Sequence, residues 1–85
     1  MPQITIYTTP YCPYCHAAKA PLTRKGAKFT EIDVSNPSDR QVMVQKANGR
    51  RTVPQIFIGS RHVGGCDDLH DLDDVGGLDP LLAAS

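Results

Sequence analysis

ITIYTTPYCPYCHAAKAPLTRKG (Ile4–Gly26) changes character once, and it places two cysteines at the change. Ile4–Thr9 is short and rich in β-branched and aromatic residues, which predicts a strand. Both of its alternating sets carry apolar groups, as expected of a central strand covered on both faces. From Pro13 onward, alanines, Leu22, Lys19 and Arg24 favour helix. Pro13 suits the first helical position and Gly26 the stop. Pro21 conflicts with this pattern. Inside a helix it removes a backbone donor and crowds the preceding turn at a cost of about 3 kcal/mol, so a kink or an early helix end is expected there.

Cys12 and Cys15 stand at the strand-to-helix junction, separated by Pro13 and Tyr14. Cys12 falls at or beside the helix cap, where the first backbone N–H groups lack intrahelical partners. Those donors and the positive end of the helix dipole favour a thiolate, the attacking species in thiol–disulfide exchange. Cys12 is therefore the expected nucleophile. Cys15 lies one turn further in on the same face, near enough to close a disulfide and more shielded. Those are the requirements of a resolving thiol. Pro13 stiffens the turn, and Tyr14 offers an aromatic wall beside the sulfurs.

Outward from this junction, Ala27–Ser35 predicts a second strand. A second helix follows, capped by Asn36 with Pro37 at its first position and stopped by Asn48-Gly49. Val42, Met43 and Ala47 are its expected buried stripe. Pro54–Ile58 predicts a third strand, joined by Gly59-Ser60 in a tight hairpin to a fourth that starts at Arg61. Residues 66–77 read as a third helix, with Asp67 and Asp68 in its first turn and Leu69, Leu72 and Val75 facing inward. Asp79 and Pro80 suggest a capped final turn. A βαβ unit makes the first two strands parallel, and the hairpin makes the last two antiparallel. The fold class is α/β: a four-stranded mixed sheet flanked by three main helices.

Residues 1–85 read as one domain with a small core. A hydrophobic content of 40% and a charged content of 21% suit a soluble globular protein. No apolar run approaches a membrane span, and the start lacks the regions of a secretion signal, so a cytoplasmic location without membrane association is expected. Three cysteines, an odd number, do not build a secreted disulfide framework; a single CxxC points to redox or metal chemistry. Structural zinc usually takes four ligands in two close pairs. Here Cys66 stands apart, and His16, His62 and His70 make no finger or ribbon spacing with it, so no metal is expected. Formal net charge is zero, which gives no case for nucleic acid. All nine Lys and Arg nevertheless fall at or before Arg61, and six of the nine acids follow it. Two solvated surfaces of opposite sign, or a basic rim attracting small anions, both fit this asymmetry.

CPYCHAAKA, RRTVPQIFIG and HVGGCDDL together make the chain resemble the glutaredoxins, in particular the small bacterial dithiol type with Cys-Pro-Tyr-Cys. The likeness runs from ITIYT to GGLDPLL. It implies a thioredoxin fold with sheet order 2-1-3-4. It implies glutathione as the reducing co-substrate in the reduction of protein disulfides and glutathione mixed disulfides, with ribonucleotide reductase among the suggested partners. It assigns glutathione's cysteinyl backbone to Thr52 and Val53, followed by a cis Pro54, and its γ-glutamyl end to Gly65, Cys66 and Asp67. Tyr14 completes the site. Backbone N–H groups at a helix start suit the carboxylate of that head group, and the Asp67 side chain suits its ammonium. Without the resemblance, Asp67 reads as a favourable first-turn acid. Cys66 contributes mainly its backbone, and its thiol reads as a passive small side chain.

Many relatives carry Lys or Arg three residues before the first cysteine; here Thr9 stands there. Arg50 and Arg51 are the candidates to meet glutathione's glycine carboxylate instead. Two rivals remain: a redoxin served by thioredoxin reductase, against which TVP and GGCD argue, and an iron–sulfur carrier, against which Pro13 and Cys15 argue. A monomer is the expected state.

Overall fold

The computed structural model describes residues 2–83. β1 (Ile4–Thr8) leads to α1 (Pro13–Arg24), β2 (Thr30–Asp33) and α2 (Pro37–Lys46). β3 (Gln55–Ile58), β4 (Arg61–Gly64), α3 (Cys66–Asp74) and α4 (Leu78–Ala83) follow. The sheet runs β2-β1-β3-β4, with β1 parallel to β2 and the remaining pairs antiparallel. This is the order and sense expected from the sequence.

Alternation on the two central strands builds two cores. Ile4, Ile6, Ile56 and Ile58 pack with Ala18 and Leu22 of α1, Leu69 of α3 and Leu78 and Leu82 of α4. Tyr7 faces the other side, where Met43 and Val44 of α2 close over it with Val34, Val53 and Phe57. Tyr7 meets Phe57 edge to face at 5.7 Å, a favoured aromatic geometry. Thus β1, which aims the dithiol, is buried on both faces.

The element bounds depart from expectation where the ladder or a helix register decides. Pairing with β1 spans only Thr30–Asp33, so β2 is shorter than Ala27–Ser35. Val42 was expected in the buried stripe and is 49% exposed; Met43, Val44 and Ala47 are buried instead. A residue one position away on a helix points about 100° round the axis, so the sheet covers that set without Val42. Val75 is 81% exposed because α3 ends at Asp74 and the chain leaves its inner face. Asp79 does not cap α4, which begins at Leu78; its carboxylate pairs with Lys25 Nζ at 2.7 Å. Lys25 also meets Asp73 at 3.1 Å, so the cation-rich and acid-rich parts of the chain join in space.

Pro21 neither ends α1 nor sits on its surface. It is fully buried in a helix that runs on to Arg24. A residue with an N–H at position 21 would donate to the Ala17 carbonyl. That carbonyl instead receives His70 Nε2 of α3 at 3.2 Å, which requires the Nε2–H form of the ring. A side chain from one helix thus replaces the missing rung of another. His70→Ala is expected to lower stability by about 0.5–1 kcal/mol in urea unfolding. The loss should shrink in a Pro21→Ala background, where the backbone restores the donor. Equal losses in both backgrounds would show that the contact is incidental.

Candidate redox site and adjoining cleft

Four residues, 9–12, turn the chain from β1 into α1. Tyr11 does so at φ 63° with its side chain 98% exposed. The left-handed region is sparsely populated by bulky residues. Cys12 follows as the N-cap at φ −104°, ψ 104°, with Pro13 starting the helix. Its Sγ accepts from the Cys15 backbone N–H at 3.2 Å. Its carbonyl accepts from the N–H groups of Cys15 and His16 at 3.2 and 3.3 Å. A cap side chain that accepts from the first turn gains most when it is an anion. On the other side, Sγ lies 3.9 Å from the Val53 carbonyl, within a weak thiol contact. The Val53–Pro54 peptide is cis.

Cys12 is 9% exposed and Cys15 2%, so the second sulfur is the more shielded, as the one-turn offset requires. All three cysteines are free thiols. Burial first, and then the hydrogen bond with Cys12, pushes the Cys15 thiol up to about 11. It keeps its proton at neutral pH until something changes beside it. The Thr9 backbone and the Lys19 charge act in the opposite direction.

A cleft of about 230 Å³ opens beside Cys12. Tyr14, Thr52, Val53, Pro54, Gly65, Cys66 and Asp67 all line it, so the residues predicted for the binding site converge around one space. Two more were not assigned to it from sequence. Arg50, named only as one of two candidate cations, lines the cleft, whereas Arg51 faces a separate hollow along α2. Asp68 lines it too. Its Oδ2 accepts from the Gly65 N–H at 2.8 Å and from Arg50 Nη1 at 2.9 Å. Those bonds, Gly65 first, hold its carboxyl below the usual range. The position of an acid three residues after the Gly65 cap was the available signal for this role.

The strand side of the cleft is braced from below. Gln55 is fully buried. Its Nε2 donates to the Thr52 carbonyl and hydroxyl at 3.0 and 3.2 Å, and its Oε1 meets His62 Nε2 at 2.7 Å. His62 in turn stacks on Phe57 with ring centroids 4.7 Å apart. Burial, then the Arg50 charge, pushes the His62 ring below its ordinary value. His62 and Gln55 thus fix Thr52 at the mouth of the cleft. The Cys66 thiol, pushed up by burial and then by Asp67, lines the cleft as a neutral group. Among the described residues, no group of three or more His, Cys, Asp or Glu side chains is arranged to hold a metal ion.

A parallel β1–β2 pair, an antiparallel β3–β4 hairpin and a CxxC opening α1 define a redoxin of the thioredoxin fold. The glutaredoxin family model matches residues 4–63. Glutaredoxin 3 of Escherichia coli (strain K12) is 55% identical over 83 residues, covering 96% of this chain and 99% of the relative. The solution structure of glutaredoxin from Brucella melitensis superposes with a TM-score of 0.85 at 60% identity, covering 96% of this chain and 89% of that one. The crystal structure of a buckwheat glutaredoxin–glutathione complex superposes with a TM-score of 0.83 at 34% identity, covering 93% and 74%. The chain belongs to the glutaredoxin family, and thiol–disulfide oxidoreductase chemistry is the activity this membership carries.

Proposed function

We propose that residues 1–85 form one glutaredoxin domain that reduces protein disulfides and glutathione mixed disulfides at the expense of glutathione. The observation that carries this reading is the cleft at Cys12. One wall is the Thr52–Val53–Pro54 turn and the other is the start of α3 with Gly65, Cys66 and Asp67. An extended cysteinyl backbone can pair with Val53. The glutamyl carboxylate suits the first N–H groups of α3, and Asp67 suits its ammonium. Arg50 is the cation available to a glycine carboxylate. The buckwheat relative is a glutathione complex, which supports the same occupant here.

In this mechanism Cys12 thiolate attacks a disulfide sulfur. The new bond forms to Cys12, and the departing thiolate takes the electron pair and a proton from solvent. With a protein disulfide, Cys15 then attacks Cys12, forms the Cys12–Cys15 disulfide and releases the reduced substrate. Glutathione attacks that disulfide, leaving Cys12 joined to glutathione. A second glutathione removes the first as glutathione disulfide. With a glutathione mixed disulfide, Cys12 takes up the glutathionyl group directly, and only the last step is needed.

The test is turnover of a disulfide substrate with glutathione and glutathione reductase, compared with thioredoxin reductase alone. Turnover in the first system and little in the second is expected. The reverse result would make the chain a thioredoxin-like redoxin and leave the cleft without its occupant.

A further inference from the structure

A second cleft, of about 360 Å³, lies behind the dithiol on the β2 side, and Cys15 forms part of its wall. Thr8, Thr9, Pro10, Tyr11, His16, Lys19, Glu31 and Asp33 complete it, and none of these residues lines the cleft beside Cys12. Lys19 is one turn beyond Cys15 on α1, the spacing that brings side chains onto one face. Its Nζ lies 2.8 Å from Glu31 Oε2. The buried Thr8 hydroxyl donates to the same oxygen at 2.7 Å. Lys19 first and Thr8 second hold the Glu31 carboxyl below its usual range, so it stays ionised at neutral pH. A charged pair is therefore pinned to the two elements that flank the resolving sulfur.

We propose that the Lys19–Glu31 pair sets how readily Cys15 ionises, and through it how fast the Cys12–Cys15 disulfide closes. Lys19 is the positioning cation of this step, and Glu31 holds it in place while partly neutralising it. This rests on the reading of Cys15 as the resolving thiol. The step balances as follows. Cys15 gives its proton to water in the second cleft. Its thiolate attacks the Cys12 sulfur of a mixed disulfide, and an S–S bond forms between the two cysteines. The bond from Cys12 to the substrate sulfur breaks, and that sulfur leaves with the electron pair. The charges that share this wall with Cys15 are opposed: Lys19, and His16 when protonated, favour the thiolate, whereas Glu31 and Asp33 oppose it, and Cys12 carries no charge once it is joined to the substrate. Tyr11 is the remaining titratable side chain in that wall. A unit charge at neighbouring-turn distance is worth roughly threefold to tenfold in the thiolate fraction at an effective dielectric between protein surface and water.

The reaction of reduced protein with 5,5′-dithiobis(2-nitrobenzoate) reads this step by stopped flow. Attack by Cys12 releases one coloured thiolate, and closure by Cys15 releases the other. In a Cys66→Ser background, which removes the third free thiol, Cys15→Ser should lack the second phase; if it retains it, the assignment of Cys15 fails and the proposal with it. With Cys15 assigned, Lys19→Met is expected to slow the second phase about threefold to tenfold at pH 7 and move its pH profile upward. Lys19→Arg should keep the profile, and Glu31→Gln should move it downward. Opposite shifts from two variants that break the same ion pair are not produced by loss of packing. If both variants move the profile the same way, or neither moves it, the pair does not govern closure, while the proposed function stands.

Discussion

Cys12→Ser is expected to abolish removal of glutathione from a mixed disulfide, by on the order of 10³-fold or more, because the hydroxyl that replaces the thiol is not ionised at neutral pH and does not form a disulfide. Cys15→Ser should keep that activity and lose the reduction of intramolecular protein disulfides. The two sulfurs differ in position by one helical turn, and that turn separates their chemistry. Cys12 is the cap. Its Sγ takes the Cys15 N–H at 3.2 Å and adjoins the cleft through Val53. Cys15 is fully buried, its thiol pushed up to about 11, and it makes no wall of the cleft beside Cys12. A glutathionyl group delivered to Cys12 can be removed by a second glutathione without Cys15. A substrate protein held at Cys12 through one half of its own disulfide needs an intramolecular attack to be released promptly. Assays with glutathionylated albumin and with insulin would separate the two activities. Equal loss of deglutathionylation in both variants would contradict these roles.

The placement of the two thiols was legible in the sequence because it is local. A cap position, a proline at the first helical residue and a three-residue offset are all contained in Cys12–Cys15, and the structure adds distances to them. The sheet was legible for a similar reason: Ile4 and Ile6 against Thr5 and Tyr7 already divide into the two faces that the two cores occupy. What stayed hidden depends on partners distant in the chain. Pro21 reads as a helix breaker until His70, from another helix, supplies the donor it lacks. Arg50 and Arg51 are adjacent and chemically alike. They are separated only because Asp68 draws the first into the cleft, while the second has its carbonyl held by the Arg40 side chain. Tyr11 gives no sequence signal for a left-handed backbone, since asparagine, aspartate or glycine is the usual occupant. Val42 and Val75 are apolar residues at plausible periodic positions, and the actual helix register and helix end leave them in solvent.

Gly64→Ala is expected to lower stability by about 2–3 kcal/mol and to weaken glutathione binding together. Two independent effects act at this residue. Gly64 has φ +118°, where a side chain is strained whatever the space around it. In addition, a Cβ built there would collide with the Asp68 carboxylate and stand 2.7 Å from Arg50 Nη1. The pair that must move is the one that caps α3 through the Gly65 N–H and places Arg50 in the cleft. The backbone cost therefore falls on the fold, and the steric cost falls on the binding wall. The two parts separate in a double-mutant cycle with Asp68→Ala, which removes the nearer colliding group and the partner that holds Arg50 against it, but not the strain. In that background Gly64→Ala should cost less in urea unfolding, by about 1 kcal/mol, yet still destabilise. The KM for glutathione should rise in each single variant, since each disturbs the Arg50–Asp68 contact, and rise little further in the double. Additive changes in both stability and KM would mean that Gly64 acts on the backbone alone, and that the close approach to Asp68 has no consequence for the cleft.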